Sequence, residues 1–168
     1  MSVVAWDGER LAADKRASLG WLTRTTTKVF RAGDSLAAYV GEADAGEEVL
    51  AWFIAGHDPG TFPESQRDRS IGSSLLVIRC DGEIWIYERT PYPIKFPPQN
   101  FAVGSGRDFA LAAMHCGRTA VEAVEVACVF DSGCGNGVDV LMHAGGDTEN
   151  RGISTRDAIK LREAKNAR

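Results

Sequence analysis

Ser2-Val3-Val4-Ala5-Trp6-Asp7-Gly8-Glu9-Arg10-Leu11-Ala12-Ala13-Asp14-Lys15-Arg16-Ala17-Ser18-Leu19-Gly20 opens the chain and decides how the rest is read. Val3–Trp6 and Glu9–Ala13 are rich in strand-forming residues, and the Asp7-Gly8 pair between them is a two-residue hairpin turn. The same pattern returns at Ser74–Cys80, Asp81-Gly82 and Glu83–Glu88. Thr26–Phe30 and Leu36–Val40 read as two more strands, joined by Ala32-Gly33-Asp34. Only the turn is common to these hairpins, so they are not a sequence repeat.

Helical periodicity fills the intervals. Glu42–Ala55 reads as a helix opened by acidic residues, which suit the positive end of its dipole. A second helix runs from Ser105 to Cys116 and stops at Gly117, a glycine suited to the C′ position. Thr119 followed three residues later by Glu122 is a capping box, and it starts a third helix through Phe130. Val138–Met142 returns as a strand, and Thr155–Ala167 reads as a charged terminal helix with sparse apolar positions. Pro59–Gly72 reads as a polar loop and Thr90–Asn100 as a proline-rich connection. Antiparallel hairpins with helices in separate blocks imply an α+β layered sandwich, not a doubly wound parallel sheet.

Composition bounds the function. The chain has 168 residues, 44% of them apolar and 25% charged, as expected of one globular domain spanning 1–168. Nineteen basic against 23 acidic residues give a net charge of −4, so no basic field is present to hold nucleic acid. No apolar stretch approaches the ~20 residues that span a bilayer, and the amino terminus lacks the basic and apolar regions of a signal peptide. Cys80, Cys116, Cys128 and Cys134 form no CxxC pair; they read as reduced, mostly buried thiols of a cytoplasmic protein, with no metal or organic cofactor. The 18 glycines exceed ordinary usage of about 7% and call for tight turns or close backbone approach. GxSxG, HExxH, P-loop and GxGxxG signatures are absent.

Ser2 is the informative residue. A methionine aminopeptidase is expected to remove Met1 before so small a side chain. An N-terminal serine then has its own base, because its α-amine can take the hydroxyl proton.

Five blocks in order carry a resemblance to proteasome β-subunits and HslV-type peptidases. They are the opening hairpin with Asp14-Lys15-Arg16-Ala17-Ser18; Thr27-Lys28-Val29-Phe30; Leu36-Ala37-Ala38-Tyr39-Val40-Gly41-Glu42-Ala43-Asp44; Ala102-Val103-Gly104-Ser105-Gly106 with the helix after it; and the Thr119 helix leading into Phe130-Asp131-Ser132-Gly133-Cys134-Gly135-Asn136-Gly137-Val138-Asp139. The resemblance implies an N-terminal nucleophile hydrolase with a four-layer αββα sandwich of two antiparallel sheets. It implies Ser2 as nucleophile where the family has threonine, Lys28 beside its hydroxyl, Asp14 holding Lys28, and Arg16 as a structural arginine. It also implies the Ala38 amide as oxyanion-hole donor, and Ser105 and Asp131 around the α-amine. Asp14 follows Ser2 by 12 positions, a shorter hairpin than the family's; shortening by an even number keeps each side chain on its face.

The expected activity is a threonine-type endopeptidase acting through an N-terminal serine on peptides or unfolded protein. It would work in a homo-oligomeric ring, with an ATPase unfoldase as a further partner. The alternatives are a catalytically silent assembly subunit and an amidase on a small amide. Val49–Ala55 and Thr90–Asn100 are the segments expected to form subunit contacts.

Overall fold

A computed structural model describes residues 1–67 and 72–143. The expected terminal helix, Thr155–Ala167, lies outside these residues. Two large antiparallel sheets form the centre. In the first, β1 (Val3–Trp6) runs between β10 (Phe101–Gly104) and β2 (Arg10–Asp14), and β11 (Val138–Met142) borders β2. In the second, β5 (Val29–Ala32), β6 (Ser35–Gly41), β7 (Ser73–Ile78), β8 (Ile84–Tyr87) and β9 (Ile94–Phe96) follow chain order. A separate hairpin, β3 (Arg16–Leu19) and β4 (Leu22–Thr25), is hydrogen-bonded to neither sheet. The helices are α1 (Ala43–Ile54), α2 (Arg107–His115) and α3 (Ala120–Phe130).

Strand alternation assigns each residue to one of three cores. Val3, Ala5 and Ala12 pack with Ala110, Ala123, Val124 and Ala127 beneath α2 and α3. Val4, Trp6, Leu11 and Ala13 face Val29, Leu36, Ala38, Leu76 and Ile78 between the sheets. Ala37, Tyr39, Leu75 and Val77 point away toward Val49, Trp52 and Phe53 of α1. The layers are therefore α2/α3, sheet, sheet, α1. Each fully buried leucine or isoleucine between the sheets contributes about 1.5–3 kcal/mol by leaving water. Gly46 lets α1 close on its sheet, since a Cβ there would lie 2.3 Å from the Tyr39 ring.

The α3 capping box forms as its spacing predicts. Thr119 Oγ1 accepts the Glu122 amide at 3.3 Å, and the Glu122 carboxylate accepts the Thr119 amide at 3.0 Å. Asp7, from the β1–β2 turn, adds a third cap by accepting the Ala120 amide at 2.8 Å.

Several expectations need correction. Val49, Leu50, Trp52 and Phe53 are buried in the chain's own core, which leaves Ala51, Ile54 and Ala55 exposed in that segment. The proline-rich segment contains β9, because Ile94-Lys95-Phe96 can pair with β8 beyond the prolines at 91 and 93. The polar loop holds two 3-10 turns, Pro59–Thr61 and Glu64–Arg67. Cys80 and Cys116 are exposed; only Cys134 is fully buried. The β3–β4 hairpin was invisible in the pattern, since its strands bury no continuous apolar face.

Candidate active site

The site forms where β1 starts, β2 ends and β5 begins. Ser2 is 6% exposed, Asp14 0% and Lys28 4%. Lys28 Nζ donates to Ser2 Oγ at 2.9 Å and to Asp14 Oδ1 at 2.8 Å, joining three residues brought from separate strands. Asp14 is saturated with donors. Its Oδ1 also accepts the Val3 amide at 2.9 Å, and its Oδ2 accepts the amides of Arg16 at 3.0 Å and Gly135 at 3.1 Å. A buried carboxylate needs such a set, because desolvation would otherwise disfavour its charge. The cation it holds favours the anionic form of the Ser2 hydroxyl.

Ser105 lies on the other side of Ser2. The Ser2 amide donates to Ser105 Oγ at 3.2 Å, and Ser105 Oγ is 3.3 Å from the Ser2 carbonyl oxygen. The Ser105 hydroxyl also reaches Asp131, and this hydrogen bond leads the causes that hold the Asp131 carboxyl below its usual value. The Gly133 amide and the Cys134 thiol donate to the same carboxylate. Asp131 thus communicates with Ser2 through Ser105. Met1 precedes this group in the chain; its carbonyl accepts the Ser2 hydroxyl at 2.6 Å, and its side chain rests against Gly133.

Gly104 permits this approach. Its φ is +98°, and a Cβ there would fall 2.1 Å from the Ser2 carbonyl oxygen. Ala38 sits in β6 paired with Val29, the residue after Lys28, so its main chain is one strand away from the lysine. Its side chain belongs to the inter-sheet core. Arg16 contributes its amide to Asp14, while its buried Nε has no hydrogen-bond partner among the described residues.

Sequence reasoning missed two contributors, Gly135 and Cys134. Their signal was position alone, four and three residues after Asp131 respectively in the last resemblance block. Burial leads the causes that push the Cys134 thiol up to about 12, with Asp14 and Asp131 adding to it. The group therefore donates as a neutral thiol. Lys15, next to Asp14, pairs with buried Asp139 at 2.7 Å and fixes β2 to β11. Among the described residues, no cluster of three His, Cys, Asp or Glu side chains is arranged to hold a metal.

Solved structures share this architecture. BPH from Thiobacillus denitrificans superposes with a TM-score of 0.63 at 20% identity, covering 90% of this chain and 99% of that one. The same protein in complex with epoxomicin gives 0.63 at 21%, covering 90% and 100%. HslV from Trypanosoma brucei gives 0.59 at 19%, covering 84% and 97%. The chain has the proteasome/HslV-type N-terminal nucleophile hydrolase fold. No protein-family model and no curated protein matches the sequence. No helix among the described residues is long and apolar enough to cross a membrane.

Proposed function

We propose that the chain is a peptidase of the proteasome/HslV type that uses Ser2 as an N-terminal nucleophile once Met1 is removed. One observation carries this reading: the buried Lys28 ammonium bridges Ser2 Oγ and Asp14 Oδ1 at 2.9 and 2.8 Å.

In the proposed reaction the freed Ser2 α-amine accepts the Ser2 hydroxyl proton, and Oγ attacks the carbonyl carbon of a peptide bond. Lys28 offsets the charge on Oγ, and Asp14 fixes Lys28. The Ala38 amide stabilises the tetrahedral oxyanion, a role typically worth ~2.7–4 kcal/mol. The protonated amine then gives its proton to the leaving nitrogen, and the C–N bond breaks to leave a serine ester. Water hydrolyses this ester with the amine again acting as base. Ser105 and Asp131 orient the amine, and Arg16 supports Asp14. The protein would act in the cytoplasm as a homo-oligomeric ring on peptides or unfolded chains, with an ATPase unfoldase as the delivering partner.

The experiment is labelling with epoxomicin, the compound bound by the BPH relative, followed by peptide mapping. The expected adduct is on Ser2 and is absent from Ser2→Ala. An adduct of equal yield in Ser2→Ala would remove Ser2 as nucleophile. A second reading, a silent assembly subunit, is favoured by the arrangement with Met1 attached. There the Ser2 nitrogen is an amide, which cannot act as a base, and the hydroxyl is tied to the Met1 carbonyl.

A further inference from the structure

Two amides from separate parts of the chain meet on Asp14 Oδ2. The Arg16 amide comes from the foot of the β3–β4 hairpin at 3.0 Å, and the Gly135 amide comes from the turn before β11 at 3.1 Å. Their spacing sets the plane of the carboxylate, and with it the direction in which Oδ1 holds Lys28 against Ser2. No sheet ladder joins the hairpin to this turn.

Asn136 joins them. Its Nδ2 donates to the Arg24 carbonyl of β4 at 3.1 Å, and Arg24 stands opposite Ala17, the residue after Arg16. The Lys15 amide, between Asp14 and Arg16, donates to the carbonyls of Gly135 and Gly137 at 2.9 and 3.1 Å. The contacts close a small ring from Asp14 Oδ2 through Gly135, Asn136, Arg24 and Arg16 back to Oδ2. In this ring Asp14 and Asn136 act through their side chains and the other members through their main chains.

The backbone at Asn136 is unfavourable for its residue type. Its φ is +64°, and Asn136 and His57 are the two residues other than glycine with positive φ among those described. Glycine enters this left-handed region without a steric penalty, and asparagine with one. Both neighbours are glycines with positive φ, +151° at Gly135 and +103° at Gly137, so on backbone grounds a third glycine would suit the turn best. Asn136 is exposed, so packing does not account for its side chain. A strained residue beside a reacting group points to a role for that residue, and the tie to Arg24 supplies one.

We propose that Asn136 is a positioning residue for the peptidase reaction. By holding the turn against the hairpin it keeps the Gly135 and Arg16 amides at the spacing that fixes Asp14, and through Asp14 it keeps Lys28 on Ser2 Oγ. The kinetic consequence rests on the reading of Ser2 as nucleophile; the tie itself does not.

The test compares Asn136→Gly and Asn136→Asp with wild type. Glycine removes the tie but relieves the backbone, so its urea midpoint should stay close to that of wild type. Aspartate tolerates the same backbone and has no Nδ2 proton to give. In both variants amide hydrogen exchange, read by NMR, should quicken at Gly135 and Arg16 together, by about 2- to 10-fold, the worth of one neutral hydrogen bond. Protein beginning at Ser2 should lose a similar factor in kcat on a fluorogenic peptide with KM unchanged, because the nucleophile is affected and substrate binding is not. Unchanged exchange at Arg16 would overturn the proposal. So would faster exchange at every amide with a lower urea midpoint, or faster local exchange with kcat unchanged from an active wild type. A wild type without turnover would instead refute the peptidase reading, and exchange at Arg16 would then decide the tie by itself.

Discussion

Replacing Asp14 with asparagine should destabilise the protein far more than removing the hydroxyl that Asp14 indirectly serves. Asp14 is fully buried and accepts four hydrogen bonds, three from amides and one from Lys28. Asparagine keeps the shape but turns an NH2 group toward donors that need an acceptor, and it leaves the Lys28 ammonium without a counter-charge. Breaking a buried pair in this way costs about 3–5 kcal/mol, a large part of the ~5–15 kcal/mol that holds a domain together. At roughly 2–4 °C per kcal/mol for a chain of this size, the melting temperature should fall by about 6–20 °C. Ser2→Ala removes two hydrogen bonds, one from Lys28 and one to the Met1 carbonyl, and leaves the Lys28–Asp14 pair intact, a loss of about 1–3 kcal/mol at about 0.5–1.5 each. Urea unfolding of the two variants beside wild type separates the cases. An Asp14→Asn protein within about 1 kcal/mol of wild type would refute the reasoning, because it would mean that the buried pair carries no uncompensated charge when broken.

Asp7 supplies a pH-dependent prediction. Burial alone would raise its carboxyl, but the amides of Ala120, Glu9 and Arg10 and the Arg10 side chain outweigh it and lower the folded value below 3.8. A depressed acid stabilises the fold fully above its unfolded value and loses that contribution as pH falls through the folded one. Urea midpoints between about pH 4 and 2 should therefore fall less steeply in Asp7→Asn than in wild type; equal slopes would contradict the assignment. Burial leads the causes that push Cys128 and Cys134 up to about 12, whereas Cys80 and Cys116 are exposed. Iodoacetamide at pH 8 should modify the exposed pair in the native protein and all four thiols after unfolding, as counted by intact mass. Thr119→Ala should cost about 1 kcal/mol through the lost α3 cap, measured by the same urea titration, and Thr119→Ser should restore most of it.

The fold was legible where one force dominated locally. Asp-Gly turns between alternating strands set β1–β2 and β7–β8, and the Thr119–Glu122 box set α3, because each is determined by neighbours in sequence. Elements that depend on distant partners were not legible. β9 exists because β8 offers an edge beyond the prolines, and β3–β4 carries its apolar residues at the tip, where no period-2 face can be read. In the candidate site, Ser2, Asp14, Lys28 and Ser105 were named in advance and come together around one serine. The Gly135 amide and the Cys134 thiol were not, since a backbone donor leaves no mark of its type and a thiol's role here follows from burial beside Asp131. The apolar run expected to meet another subunit packs instead in the chain's own core, through Val49, Trp52 and Phe53. An apolar helical run such as Val49–Phe53 signals burial without saying whether its own core or a partner provides it.

The central claim is that a serine with a free α-amine does the chemistry, and the most direct measurement joins terminal mass to turnover. Protein whose intact mass shows the chain beginning at Ser2 should hydrolyse fluorogenic peptides, while protein retaining Met1 and the Ser2→Ala variant should not. Equal turnover by Met1-retaining protein would contradict the account, because its Ser2 nitrogen is an amide and cannot take up the hydroxyl proton.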